Sequence, residues 1–216
     1  MGRPPKISRE RLQSAALALV DAHGLEGLTM RALADAVGTA PMTLYNHVED
    51  RADLEALVVD AVLTGVRRPS RARERWQDEV RDLATAMWRA VRAHPAAIPL
   101  ILVRRSRSRG TLELSEALLA ALARSRRSRQ RLLVAFRAVT AMVMGFAQVE
   151  LAGPLALRAG EPSAEVIERM RALPKQRFAG LVEIATAARR SSPEREFAQG
   201  LDILIAGLET DGARRS

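Results

Sequence analysis

"MRALADAVGTAPMTLYNH", residues 30–47, decides how the rest of the chain is read. In its first half Leu33, Ala34 and Val37 recur at helical spacing until Gly38 stops the pattern. A second helix begins at Ala40, with Pro41 in the first turn, where the missing N–H of proline has no helical partner to lose. Helix, glycine-containing turn, helix is the plan of a helix-turn-helix. Ala34 is small where the two helices must approach closely, and Leu33, Val37 and Leu44 fill the space between them. One residue further, "APMTLYNHV" (40–48) holds more polar tips than a helix packed only for stability needs. Leu44 and Val48 are its apolar anchors. Thr43, Tyr45 and His47 are of the kind that reach base edges and phosphates when such a helix lies in a major groove. Asn46 carries no assignment.

Working outward, Ser8 caps a first helix that Gly24 ends, and Thr29 caps the helix "MRALADAV". Asp50 caps a fourth helix, with Asp53 three residues on acting much like a capping box. "RRPSRARER" (67–75) reads as a linker. Beyond it the pattern is helical again. An amphipathic helix starts near Trp76, and "HP" (94–95) turns into a short helix through Leu102. "RRSRSRG" (104–110) reads as a loop, and Thr111 caps the next helix. A very apolar helix runs over about 128–151, a loop covers 152–163, and a helical region over 164–188 is interrupted near Pro174. Ser192 caps the last helix. The fold class is all-α: a helix-turn-helix head of three or four helices over residues 1–66 and a larger helical body over 67–216.

Composition agrees. Aromatics make up only 3% of the 216 residues, so the core must be built from Ala, Leu, Val and Met, which favour helices. Cysteine is absent, which excludes disulfides and thiol chemistry. No run of 18 apolar residues predicts a membrane span and no apolar stretch predicts a signal peptide, so a cytoplasmic protein without membrane partners is the default. The net charge of +9 does not by itself indicate DNA binding. Residues 1–60 carry −3, residues 61–140 carry +12 and the remainder is neutral. All but two of the 34 basic residues are arginine, a bias that with so much alanine points to a GC-rich coding sequence. The arginine clusters in the middle either add long-range attraction to DNA or are solvated loops.

"GLEGLTMRALADAVGTAPMTLYNHVEDRADLEAL" (24–57) resembles the N-terminal domain of the tetracycline-repressor (TetR-like) family. Thr29, Arg31, Leu33, Ala34, Gly38, Leu44, Tyr45, His47, Val48, Arg51 and Leu54 carry the likeness, and "LYNHV" is similar to the tetracycline-repressor branch. "REFAQGLDILIAGLE" (195–209) gives a weaker echo in the last helix. The resemblance implies a dimeric, ligand-responsive repressor that binds a palindromic double-stranded operator and is released by a small-molecule effector. It implies DNA contacts from Arg31, from Pro41, Met42 and Thr43 at the start of the recognition helix, from Tyr45 and His47, and from Arg51. Pro41 departs from the tetracycline repressor, which has an amide side chain there that can pair with a base. Met42 suits a thymine methyl. Each residue also has a plainer reading: Tyr45 packed between helices, His47 solvated, Arg31 paired with Asp35. The arm "GRPPK" (2–6) either follows the minor groove or is unordered.

In the body, the resemblance implies a pocket among the long helices. Trp88, Ile98, Leu102, Met142, Phe146 and Phe178 would give it an adaptable wall, with His94 as a polar contact; the alternative is ordinary core packing. Gln148 and Glu150 are polar on a very apolar helix. A dimer face is expected from Leu133, Phe136, Val139, Thr140 and Val143 with Phe197, Leu201, Leu204 and Leu208, two helices per subunit forming a four-helix bundle. Catalysis has no footing: the three histidines are scattered, and neither a metal-binding spacing nor a carboxylate pair appears. No cofactor or metal is expected. The rival classes are a helical protein-binding adaptor with an inert head, and a DNA-binding activator without ligand.

Overall fold

The computed structural model describes residues 7–66, 73–104, 109–152 and 163–213. The arm at 2–6, residues 67–72 of the linker, residues 105–108, the loop at 153–162 and the side chain of Glu150 lie outside them. Every regular element among the described residues is helical: α1 (Arg9–His23), α2 (Met30–Val37), α3 (Pro41–Leu44), α4 (Arg51–Thr64), α5 (Trp76–Ala93), α6 (Ile98–Arg104), α7 (Arg109–Ala123), α8 (Arg129–Ala152), α9 (Ser163–Arg171), α10 (Lys175–Ala188) and α11 (Pro193–Ala213). Short 3₁₀ turns at Leu25–Gly27 and Pro95–Ala97 lead towards α2 and α6.

The chain divides into two compact units. One holds residues 1–72 and 89–121; the other holds 73–88 and 122–216. In the first, α1 packs on α2 and α4, α2 packs on α3, and α4 also receives α6. Leu12, Ala16, Val20, Leu28, Leu33, Ala34, Val37, Leu44, Val48, Leu54 and Leu57 are all at most 3% exposed and form its core. In the second, α8 packs on α11 and α9 on α10.

Most boundaries follow the caps. The Ser8 hydroxyl accepts from Arg11 N at 3.2 Å, and Thr29 Oγ1 accepts from Ala32 N at 3.1 Å. Asp50 Oδ1 accepts from Asp53 N at 2.8 Å while Asp53 Oδ2 accepts from Glu49 N, a reciprocal cap shifted by one residue from the standard box. Gly38 ends α2 at φ +70°, the left-handed conformation that releases the chain into α3. A Cβ there would meet nothing within 4 Å, so a substitution is strained by backbone alone. Gly38→Val is expected to cost about 1–2 kcal/mol and Gly38→Asn clearly less, since asparagine tolerates this region. Urea denaturation of the two variants side by side checks this; equal losses would contradict it.

Two boundaries differ from the sequence reading. The helix from Ala40 stops at Leu44, and residues 45–47 continue as turns, with His47 N and Val48 N both donating to Leu44 O. Helix α7 starts at Arg109, so Thr111 lies inside it rather than capping it. The break near Pro174 is present at residues 172–174, and Phe178 is again non-helical at φ −129°, ψ 36°.

The expected dimer face needs correction. Val139, Val143, Phe197 and Leu201 are at most 1% exposed and Leu208 is 9% exposed within one chain, so they belong to its own core. Spacing identifies an apolar helix face but not what covers it, and α8 is apolar on more than one face. Of the expected face Leu133 is exposed and Phe136, Thr140 and Leu204 are half-buried; Val134 and Val149 on α8 and Ile203 on α11 are exposed beside them. By length and composition Arg129–Val149 is apolar enough to cross a bilayer, although it holds no uninterrupted apolar run of that length. Arg131 and Arg137 interrupt it.

Candidate functional site

The turn at Gly38 sets α3 against α2 so that residues 41–48 present two faces. Leu44 and Val48 are buried, at 0% and 1% exposure, and anchor the segment in the head. Pro41, Met42, Thr43, Tyr45, Asn46 and His47 are all exposed, Met42 at 77% and Tyr45 at 53%. A solvent-facing methionine and tyrosine side by side contribute nothing to the core; their apolar surface is left over for a partner. Tyr45 is therefore not packed between helices. Arg31, in the first turn of α2, is exposed, and no ion pair joins it to Asp35. Its guanidinium is available to an anion.

Arg51 is placed differently. Its Nε donates to Glu55 at 2.8 Å, one terminal nitrogen donates to Leu25 O at 3.2 Å and the other to Leu28 O. These bonds hold the 3₁₀ turn before α2 against the start of α4. The role of bracing the motif was not legible in sequence, because backbone carbonyls leave no residue-type signal. Arg11 does the same from α1, donating to Val37 O at 2.9 Å just before the Gly38 turn.

Several of the head's carboxylates have local partners. Asp50 and Asp53 are occupied by backbone N–H groups, Glu55 by Arg51, Asp21 by His94 at 2.9 Å, and Asp60 by Arg9 at 3.0 Å. Negative charge used inside the head in this way leaves position rather than total charge to determine what the exposed face attracts.

The seven pocket candidates are distributed over both compact units. His94, Ile98 and Leu102 belong to the first unit; Trp88, Met142, Phe146 and Phe178 belong to the second. Ile98 is buried at 2% and Leu102 is 43% exposed. His94 uses Nδ1 on Asp21 of α1, an internal partner that spacing could not reveal. In the second unit Trp88 stacks on Phe197, with centroids 4.5 Å apart and planes 4° from parallel, and Phe146 meets the same ring edge-on at 5.5 Å. Gly200 makes room for this: a Cβ there would come within 2.9 Å of Met142 Cε and 3.2 Å of Phe146 Cζ. Trp88, Met142 and Phe146 are thus brought together around Phe197 and Gly200. Phe178 lies on α10 with Arg177 over its ring at 5.4 Å. An open groove of about 710 Å³ runs along α10, lined by Lys175, Val182, Glu183, Thr186, Arg189 and Arg190 among others, and takes in none of the seven.

Comparison with known proteins bears on what these faces do. Residues 12–55 match the family described as bacterial regulatory proteins, tetR family, and residues 68–211 match the tetracyclin repressor-like C-terminal domain. An HTH-type transcriptional regulator of Saccharopolyspora erythraea is 31% identical over 206 residues, 94% of this chain and 85% of the relative. The tetracycline repressor of class D from Escherichia coli is 38% identical, but over 89 residues, 40% of each chain. Among solved structures, ActR of Streptomyces coelicolor without ligand superposes over the whole of both chains with a TM-score of 0.82 and 26% identity. The same protein has been solved with actinorhodin, matching at a TM-score of 0.79 over 97% of this chain and the whole of ActR.

Proposed function

The chain belongs to the TetR family of bacterial regulatory proteins, and on that premise we propose that it is a dimeric transcriptional repressor, released from a palindromic operator by a small apolar effector. Likeness to the tetracycline-repressor branch is supported only over a short stretch, and the relatives matched over nearly the full length are actinomycete regulators. One observation carries the DNA-binding reading: residues 41–48 bury Leu44 and Val48 and turn Met42, Thr43, Tyr45 and His47 outward. Thr43 and Met42 read base edges, Tyr45 and His47 reach bases or phosphates, and Arg31 pairs with a phosphate. Pro41 has no N–H and no polar tip, so this operator differs from those read by an amide at that position. Arg51 supports the motif from behind. DNA binding is assigned to residues 1–66, and effector binding and dimerisation to 67–216.

The effector reading rests on Met142 and Phe146, half-buried beside the Trp88–Phe197 stack, and gains support from ActR, a relative solved with actinorhodin. The exposed apolar side chains of α8 and α11 supply the dimer face; a face of this kind on a bacterial regulator is better covered by a second copy than by lipid. The protein is assigned to the cytoplasm, where its operator is.

Binding to DNA from around its own gene, measured by fluorescence anisotropy across a salt series, tests the reading. A palindrome should be bound with Kd of about 10⁻⁸ M or tighter at physiological salt and at least ~10³-fold better than a scrambled duplex. Log affinity should fall linearly with log salt. Equal affinity for palindrome and scramble would leave the adaptor reading standing instead.

A further inference from the structure

Asp60 is the one buried charged residue of the described core, 2% exposed near the end of α4, among Leu57, Val58, Val59, Val62 and Leu63. Its two carboxylate oxygens face different elements. Oδ2 accepts from Arg9 of α1 at 3.0 Å, and Oδ1 accepts from the backbone N–H of Gly110 in the first turn of α7 at 3.2 Å. The partners lie 51 and 50 residues away on either side in sequence. The field of Asp60 also reaches Arg109, whose guanidinium is held above its usual range chiefly by its hydrogen bond to Glu113.

A buried carboxylate is an expensive way to hold three helices together. Desolvating it offsets much of what its bonds return, and an apolar side chain would fill the position at no such cost. What a shared carboxylate adds is dependence: a shift of either donor changes the geometry offered to the other. Arg9 lies two residues before Arg11, which holds the last turn of α2 through Val37 O, next to the turn that orients α3. Hydrogen bonds therefore tie the start of α7 through one side chain of α4 to the first turn of α1, and the same turn of α1 holds the helix-turn-helix through Arg11.

We infer that Asp60 is a positioning residue that couples the start of α7 to the orientation of the DNA-binding helices, through the Arg9–Asp60–Gly110 bridge. This rests on the repressor reading for its DNA consequence, but the bridge has a readout that needs no DNA. Hydrogen exchange of the full-length chain is compared between wild type, Arg9→Gln, Asp60→Asn and the double variant. Arg9→Gln touches only the α1 side, yet should raise the exchange rate at Gly110 and the following amides of α7 at least threefold. In operator binding, Arg9→Gln and Asp60→Asn should each weaken affinity about fivefold or more, and the double variant should be no worse than the poorer single one. That non-additivity is the signature of one shared bridge. Unchanged exchange in α7 on Arg9→Gln, or strictly multiplicative losses in the cycle, would overturn the coupling. Should Asp60→Asn fail to fold, the Arg9→Gln exchange result decides alone. If no specific DNA is found for the wild type, the exchange result still judges the bridge while the repressor reading falls separately.

Discussion

Alanine at Tyr45 or at His47 is expected to weaken operator binding by roughly tenfold or more each, while leaving thermal stability and dimerisation as in the wild type. The magnitude follows from the value of one well-made contact to a base edge or phosphate, about 1–3 kcal/mol, where 1.4 kcal/mol is a factor of ten. The lack of effect on folding follows from exposure: Tyr45 is 53% exposed, His47 is also exposed, and neither holds another element in place. Leu44, fully buried on the opposite face of the same turn, gives the contrasting control, because Leu44→Ala should cost about 2–5 kcal/mol of stability by opening a cavity in the head. Comparing operator with scrambled duplex separates the two kinds of contact. A residue reading a base loses discrimination between them, whereas one holding a phosphate weakens both alike. Wild-type affinity in both variants would remove residues 41–48 from the interface and the proposed reading with them.

How far the sequence could be read depended on the kind of signal. Caps and stops are local chemistry, so Ser8, Thr29, Gly38 and Asp50 place helix ends correctly in the head. The division of residues 41–48 into anchors and tips was legible because burial there follows a single turn of backbone. Four things were not. The end of α3 at Leu44 depends on how the turn packs, and no breaker residue marks it. The work of Arg51, Arg11 and His94 depends on partners 23 to 73 residues away, three of them backbone carbonyls. Part of the α8 face was misassigned because a helix apolar on several sides fits a core and an interface equally well by periodicity, and only the fold decides that Val139 and Val143 turn inward. The burial of Asp60 and its bridge depend on α1 and α7 being brought to α4, which no local pattern announces.

The second large effect is expected at Trp88. Trp88 suits either a pocket wall or a core, and the two roles predict opposite pairs of measurements. Trp88 is 1% exposed and lies flat on Phe197, itself 1% exposed, with Phe146 edge-on to the same ring. Truncating a buried aromatic of this size costs about 3–5 kcal/mol, partly in lost transfer energy and partly in the cavity left behind. For a chain of this length that corresponds to a fall in Tm of about 10 °C. Trp88→Phe keeps a ring against Phe197 and should lose far less. The chain has only two tryptophans, and Trp76 is partly exposed beneath Arg127, so the blue-shifted part of the emission should vanish in both variants even where folding persists. A pocket wall behaves differently, because an unfilled pocket gains nothing from its lining: Trp88→Ala would then alter effector affinity with Tm nearly unchanged. The observed stacking favours the core role for Trp88 and leaves Met142 and Phe146, both half-buried beside it, as the side chains through which an effector would be felt. A Tm within about 2 °C of wild type for Trp88→Ala would reverse that assignment.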